Sequence, residues 1–234
     1  MHPMLNIAVR AARVAGNIIA RGFENLDDLN TQAKGDNDFV TRIDKEAEQA
    51  IIEKIKQSYP THSFVGEEGG IVEGDEDFKW VIDPLDGTTN FIKGIPHFAV
   101  SIALMHKGKL DQAVVFDPIR GELFTASKGA GAQLNGFRIR AGKAKDLSNT
   151  ILATALPFKN KENTAEYLSS FTEIFSKCGD VRRCGSAALD MAYVAAGRYD
   201  GYWEKGVKPW DIAAGELLVR ESGGLVTSFS GGHD

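Results

Sequence analysis

An α+β fold in which helical and strand layers alternate twice is predicted by three features of this 234-residue sequence. Leu5, Ala8, Val9, Ala12, Ala15, Ile18 and Ile19 recur at helical spacing, which gives an amphipathic first helix of about five turns. Apolar runs between Phe98 and Ala126 are joined by short turns, so this part reads as successive hairpins and not as a βαβ alternation. Helical and strand-like segments then return between Ile151 and Glu221. Two packed subdomains follow, with a seam near residues 130 to 145.

After the first helix, Asn25 to Asn37 is polar and broken by glycine. Lys45 to Tyr59 reads as a second helix burying Ala47, Ile51, Ile52 and Ile55 and ending near Pro60, with Asp44 where an N-cap belongs. Phe64 to Gly70 is a short strand running into an acidic, glycine-rich turn that contains Glu67 and Glu68. Adjacent carboxylates repel and gain from a nearby cation, although an exposed loop also tolerates them. Glu73 to Asp77 lacks an apolar frame and reads as solvated surface.

The stretch Trp80 to Phe91, WVIDPLDGTTNF, carries the densest signal. Trp80, Val81 and Ile82 form a buried, β-branched strand that ends at once in Asp83, Pro84, Leu85, Asp86 and Gly87. Pro84 biases Asp83 toward an extended backbone, and Gly87 permits a geometry closed to other residues. Thr88, Thr89 and Asn90 suit a helix start, whose free N–H groups offer an anion site beside the two acids. Metal-assisted phosphoryl chemistry is one reading of this arrangement; ordinary Asp-Pro and Asp-Gly turn chemistry is the other.

Beyond it, Phe98 to Leu104, Leu110 to Phe116 and Glu122 to Ala126 read as strands, and Ile151 to Thr154 as another. Thr164 to Lys177 and the alanine-rich Gly185 to Ala196 read as helices, Tyr199 to Glu204 as a strand, and Ile212 to Glu221 as a last helix after a turn at Trp210 and Asp211. Asp211 therefore stands at a second strand-to-helix junction, where N-capping would also account for it.

Composition narrows the function. With 43% apolar and 25% charged residues the chain is an ordinary globular protein. A net charge of −5 and a pI near 5.6 argue against a general electrostatic hold on nucleic acid or anionic membrane. The start of the chain, interrupted by Arg10, Arg13 and Asn17, is neither a signal peptide nor a membrane span, and only Cys178 and Cys184 are present. A cytoplasmic protein with reduced, structurally idle thiols is expected, although a disulfide between the two is open. His97 and His106 read as structural.

Four acidic stations stand in order: Asp44 in VTRID, Glu67 in VGEEGG, Asp83 with Asp86 in WVIDPLDGTTNF, and Asp211 in KPWDIAAGE. This set resembles the inositol monophosphatase family of magnesium-dependent, lithium-sensitive phosphatases. MHPMLNIAVRAARVAGN, DPLDGTTNFIKGIPHFAVSIAL and GSAALDMAYVAAGRYDGYWE look most like its bacterial branch, and the resemblance spans the whole chain. It implies the family's layered αβαβα sandwich, with an N-terminal part (1–135) carrying most metal ligands. A C-terminal part (136–234) would carry Asp211 and substrate contacts, apparently without the strand and helix that members add beyond GGHD.

The resemblance further implies two to three Mg2+ ions held by Glu67, Asp83, the Leu85 carbonyl, Asp86 and Asp211, a hard-oxygen set that suits this ion. Asp44 and Thr88, with Glu67, would be the catalytic residues that orient the attacking water. Substrate contacts would come from Asp86, Gly87, Thr88, Thr89, Arg182, Ala187, Glu204 and Asp211. The implied reaction is hydrolysis of inositol 1-phosphate or a related sugar or nucleotide phosphate, without a covalent enzyme intermediate. A homodimer is implied as well. From a different class of function, the bacterial branch is associated with ribosomal RNA transcription antitermination, which would make the chain a protein-binding regulator.

Overall fold

Helical faces and strand registers divide the protein into layers around one eight-stranded sheet. The computed structural model describes residues 2–25, 31–35, 38–157 and 161–232. Helix α1 (Pro3–Glu24) buries Leu5, Ala8, Ala12, Ala15 and Ile19 along one stripe, and Pro3 at its start needs no intrahelical N–H partner. A short antiparallel pair, β1 (Thr31–Gly35) and β2 (Asp38–Thr41), leads into α2 (Arg42–Lys56). Asp44 is thus the third residue of α2 and not its N-cap.

The large sheet comprises β3 (His62–Gly66), β4 (Gly70–Val72), β5 (Asp75–Asp86), β6 (Ala99–His106), β7 (Lys109–Asp117), β8 (Glu122–Ser127), β9 (Gly131–Leu134) and β10 (Phe137–Arg138). Their spatial order is β10-β9-β8-β7-β6-β5-β3-β4. Hairpins account for the run from β5 to β10, as the sequence predicts, and only the β3–β5 pair is parallel. One detail differs from expectation: β4 is an additional edge strand too short for a periodic signal. The acidic segment Glu73 to Asp77 is exposed, as expected of solvated surface, and Asp75–Asp77 also forms the beginning of β5.

Trp80, Ile82 and Leu85 face α1 and α2, in a core with Phe64, Phe91, Phe98 and Ile102. Each such side chain taken fully out of water contributes about 1.5–3 kcal/mol. Val81 faces the other way, into a core with Ala99, Ala103, Val115 and Phe124. That second face is covered by α5 (Ala187–Ala195) and α6 (Pro209–Glu221), through Ala188, Leu189, Ala192, Ala214, Leu217 and Leu218. Packing is continuous across the expected seam, since Val81 and Leu218 belong to one cluster.

Beyond α5 lies a three-stranded sheet, ordered β12 (Asp180–Arg182), β11 (Ile151–Thr154), β13 (Gly201–Trp203), with both pairs parallel. Crossovers through α4 (Thr164–Phe175) and α5 join these strands, so the second half does use the βαβ connection. α4 closes the last layer, its Tyr167 hydroxyl 2.9 Å from Thr154 Oγ1 and its Phe171 ring 6.4 Å from Trp203. The result is an αβαβα sandwich. α6 begins at Pro209, which places Trp210 and Asp211 inside its first turn instead of before it. Both cysteines are free thiols, and no helix among the described residues is long and apolar enough to cross a membrane. His233 and Asp234, the end of GGHD, lie outside the described residues, as do residues 26–30 and 36–37 of the polar segment.

Candidate active site

A spacing of three residues would send Asp83 and Asp86 to opposite faces of a regular strand. β5 avoids this with a bulge. Asp83 pairs with Ser101 and Asp86 with Ala99, so three steps on β5 match two on β6. Both acids therefore share the face of Val81, toward α5 and α6. The turn is fixed locally, because Asp83 Oδ1 accepts the Leu85 N–H at 3.0 Å and Thr88 donates its hydroxyl to the Leu85 carbonyl at 2.9 Å.

Gly87 follows with φ 97° and caps the short helix α3 (Thr88–Ile92). A side chain is excluded there twice over. The φ is left-handed, and a Cβ would stand 3.0 Å from the His97 carbonyl oxygen.

Glu67 is placed by the end of β3, where its N–H donates to the Ile82 carbonyl at 3.2 Å. The turn around it is held by a residue that the sequence reading passed over. Glu48, buried in α2, accepts the N–H groups of Glu68 at 3.1 Å and Gly69 at 2.6 Å. Its signal is legible in retrospect. Asp44, Glu48 and Ile52 lie at i, i+4, i+8, so two acids sit on the apolar stripe of α2.

Asp86 is built from both halves of the chain. Ser186, the N-cap of α5, donates its hydroxyl to Asp86 Oδ2 at 2.6 Å, and the Ala188 N–H donates to the same oxygen at 2.7 Å. Asp211, the third residue of α6, accepts the Lys208 N–H. That bond aligns its carboxylate with the helix start.

These residues line one cleft of about 550 Å3, a size suited to a small molecule. Its walls include Glu67, Asp83, Leu85, Asp86, Gly87, Thr88, Thr89, Ala187, Glu204 and Asp211, with Lys161, Lys205 and Lys208 also contributing. Asp44 does not line it; that residue is 2% exposed, and its charge still reaches Asp83. Arg182 also stands outside the lining. Its guanidinium pairs with Asp180, and the adjacent Arg183 is the arginine that faces the cleft. Asp190, unnoticed in the alanine-rich helix, lines the cleft as well.

The electrostatics are those of crowded acids. Burial raises the pKa of Asp83 well above the usual carboxylate range, and the negative charges of Glu67, Asp86, Asp211 and Asp44 raise it further. Asp86 is pushed up to about 7, chiefly by burial and also by Asp211 and Glu204, against the lowering effect of its bond from Ser186. Burial, then Asp86 and Glu204, take Asp190 to about 8. Buried carboxylates that repel one another are a donor set in need of cations, and their oxygens are hard ligands of the kind Mg2+ prefers.

Comparison with known proteins accords with this geometry. The inositol monophosphatase family matches residues 1–234. The Nus factor SuhB of Escherichia coli K12 is 61% identical over 235 residues, covering 100% of this chain and 88% of the relative, and that of Pseudomonas aeruginosa is 53% identical over the same shares. Among solved structures, the extragenic suppressor protein suhB of Bartonella henselae superposes with a TM-score of 0.97 at 41% identity, covering 100% of this chain and 90% of the other. An inositol monophosphatase from Anabaena gives 0.85 at 37%, covering 97% of this chain and 84% of the other. With the acidic cleft, the layered sandwich and a match along its whole length, the chain belongs to the inositol monophosphatase family.

Proposed function

We propose that the cleft hydrolyses a phosphate monoester with Mg2+, that its substrate is a myo-inositol monophosphate such as inositol 1-phosphate, and that Li+ inhibits it. The observation that carries this reading is the convergence of Glu67, Asp83, Asp86 and Asp211 on one cleft whose walls also hold lysines. Glu67, Asp83, the Leu85 carbonyl, Asp86 and Asp211 would hold two to three Mg2+ ions. When bound, Mg2+ supplies an activated water near neutral pH and offsets the charge of the phosphate.

The chain's own groups do the rest. Thr88 is oriented through its bond to the Leu85 carbonyl, and with Glu67 it would direct the attacking water in line with the ester, while Asp44, buried behind the lining, would contribute from there through its charge. Gly87, Thr88 and Thr89 lie where the phosphate would rest, and Lys161, Lys205 and Lys208 add positive charge at the cleft. Glu204, which accepts the Tyr202 hydroxyl, and Ala187 face the sugar. Arg183 takes the sugar-side role that the resemblance gives to Arg182, since it is the arginine that lines the cleft. The division into 1–135 and 136–234 stays part of this reading, with the cleft between the bulge of β5 and the starts of α5 and α6.

The test is phosphate release from inositol 1-phosphate by the purified protein, with and without Mg2+ and with added Li+. Turnover that requires Mg2+ and falls with Li+ is expected; folded protein without turnover overturns the substrate assignment. A second reading rests on the names of the relatives, which are Nus factors. In it the chain, as a cytoplasmic homodimer, binds a protein of the ribosomal RNA antitermination machinery. Asp83→Asn separates the two: loss of turnover with the cellular role intact makes the binding role independent of catalysis.

A further inference from the structure

His97, Cys184 and Asp190 come together from three elements: the segment before β6, the segment before α5, and α5 itself. One donor atom from each, a ring nitrogen, a thiol sulfur and a carboxylate oxygen, lies within 4.8 Å of the other two. His97 is 9% exposed and Asp190 1%. His97 Nε2 and Asp190 Oδ1 are both buried without a hydrogen-bond partner, a costly condition that calls for an explanation. The framework around them is satisfied. Asn90 donates its side-chain amide to the carbonyls of His97 and Cys184, at 2.8 Å each, and so fastens two of the three donors to one point.

We propose that His97, Cys184 and Asp190 form a site for one soft divalent ion of the Zn2+ class, reached from the cleft wall. Imidazole, thiolate and carboxylate with an open fourth position are a zinc donor set, whereas Mg2+ takes oxygen ligands and is served by the neighbouring acids. With metal–ligand bonds of about 2.0–2.3 Å, donors in a tetrahedral shell stand roughly 3.3–3.8 Å apart, so the three side chains close by about 1 Å on binding. Cys184 is half-buried and its sulfur lies 3.6 Å from the Tyr199 hydroxyl, a weak contact that yields to a metal bond. Asp190 lines the cleft, which gives the ion an entry and the fourth position a water. Binding displaces the thiol proton of Cys184 to solvent. Arg183 places a positive charge near Asp190, and Asp86 and Glu204 set negative charges against it. The site does not depend on the phosphatase reading.

The experiment is a Co2+ titration of the full chain in excess Mg2+, which occupies the oxygen sites, followed by optical absorption. One equivalent of Co2+ is expected to give a thiolate-to-cobalt charge-transfer band that Zn2+ abolishes. Cys184→Ser, folded by circular dichroism, loses the band and Cys178→Ser keeps it. Asp190→Asn weakens binding by more than the roughly 10–100-fold that loss of an outer-shell partner costs. Absence of the band in the parent protein, its persistence in Cys184→Ser, or its loss in Cys178→Ser overturns the proposal.

Discussion

Ser186 donates its hydroxyl to Asp86 Oδ2 at 2.6 Å across 100 residues of sequence, while Ser186 Oγ itself caps α5 by accepting the Leu189 N–H at 3.3 Å. One side chain thus starts a helix and aims a carboxylate. Ser186→Ala removes both effects. The expected cost is about 1 kcal/mol of stability from the lost cap and a roughly 10–100-fold loss of Mg2+-dependent turnover from the misdirected acid. Thermal melting and a Mg2+ titration of phosphate release measure the two separately.

Asp83→Asn and Asp211→Asn are each expected to abolish Mg2+-dependent turnover with folding retained. Asp83→Asn also raises the melting temperature in EDTA, because burial and neighbouring negative charges already disfavour its ionised form. Wild-type turnover in both variants, measured at saturating Mg2+, would sink the ligand assignment.

Glu48→Ala leaves the N–H groups of Glu68 and Gly69 without their acceptor, at about 1–3 kcal/mol for each group that water does not reach. Glu67 then loses its fixed turn, and the Mg2+ concentration for half-maximal turnover rises. Gly66→Ala should give the same phenotype by another route, since a Cβ there would stand 2.2 Å from Glu48 Oε2. Unchanged Mg2+ dependence in both would show that the turn does not position Glu67.

His62 supplies a pH dependence outside the cleft. Its Nδ1 accepts the Trp80 indole N–H at 3.0 Å, and its ring stacks between Tyr59 and Phe78. Burial lowers its pKa, against an opposing pull from Asp75. The unfolded chain therefore takes up a proton first, at about pH 6.5. Stability from His62 is fully present above that pH and is lost as pH falls toward the folded pKa. Denaturant midpoints between pH 8 and 5 should fall accordingly. His62→Gln, which keeps an acceptor but does not titrate, should flatten the curve by that share.

Much of this was legible in residues 80 to 92, where a β-branched run, Asp-Pro, Asp-Gly and a threonine pair each name a local conformation. Glu48 was not, because its partners lie 20 and 21 residues away and only the folded turn brings them to it. Arg182 and Arg183 differ by one position at the end of a three-residue strand, and a shift of one residue exchanges the faces of a strand. Sequence alone does not fix that parity. Asp190 was hidden for a related reason. In an alanine-rich helix packed on both sides, no stripe distinguishes an acid that faces a cleft from one that faces water. β12 and β4, at three residues each, are too short for alternation to register.

The bulge between Asp83 and Asp86 makes the site digital in length and analogue in side chain. Exchanging Pro84 for another residue perturbs the turn by degrees. Removing one residue between the two acids erases the mismatch of three steps against two and restores a straight ladder with β6. Asp86 would still stand opposite Ala99 on the same face, but the turn in which Asp83 accepts the Leu85 N–H is lost, and with it the Leu85 carbonyl that holds Thr88. Insertions and deletions in this family should therefore be absent between these two positions while substitutions that keep the turn are tolerated.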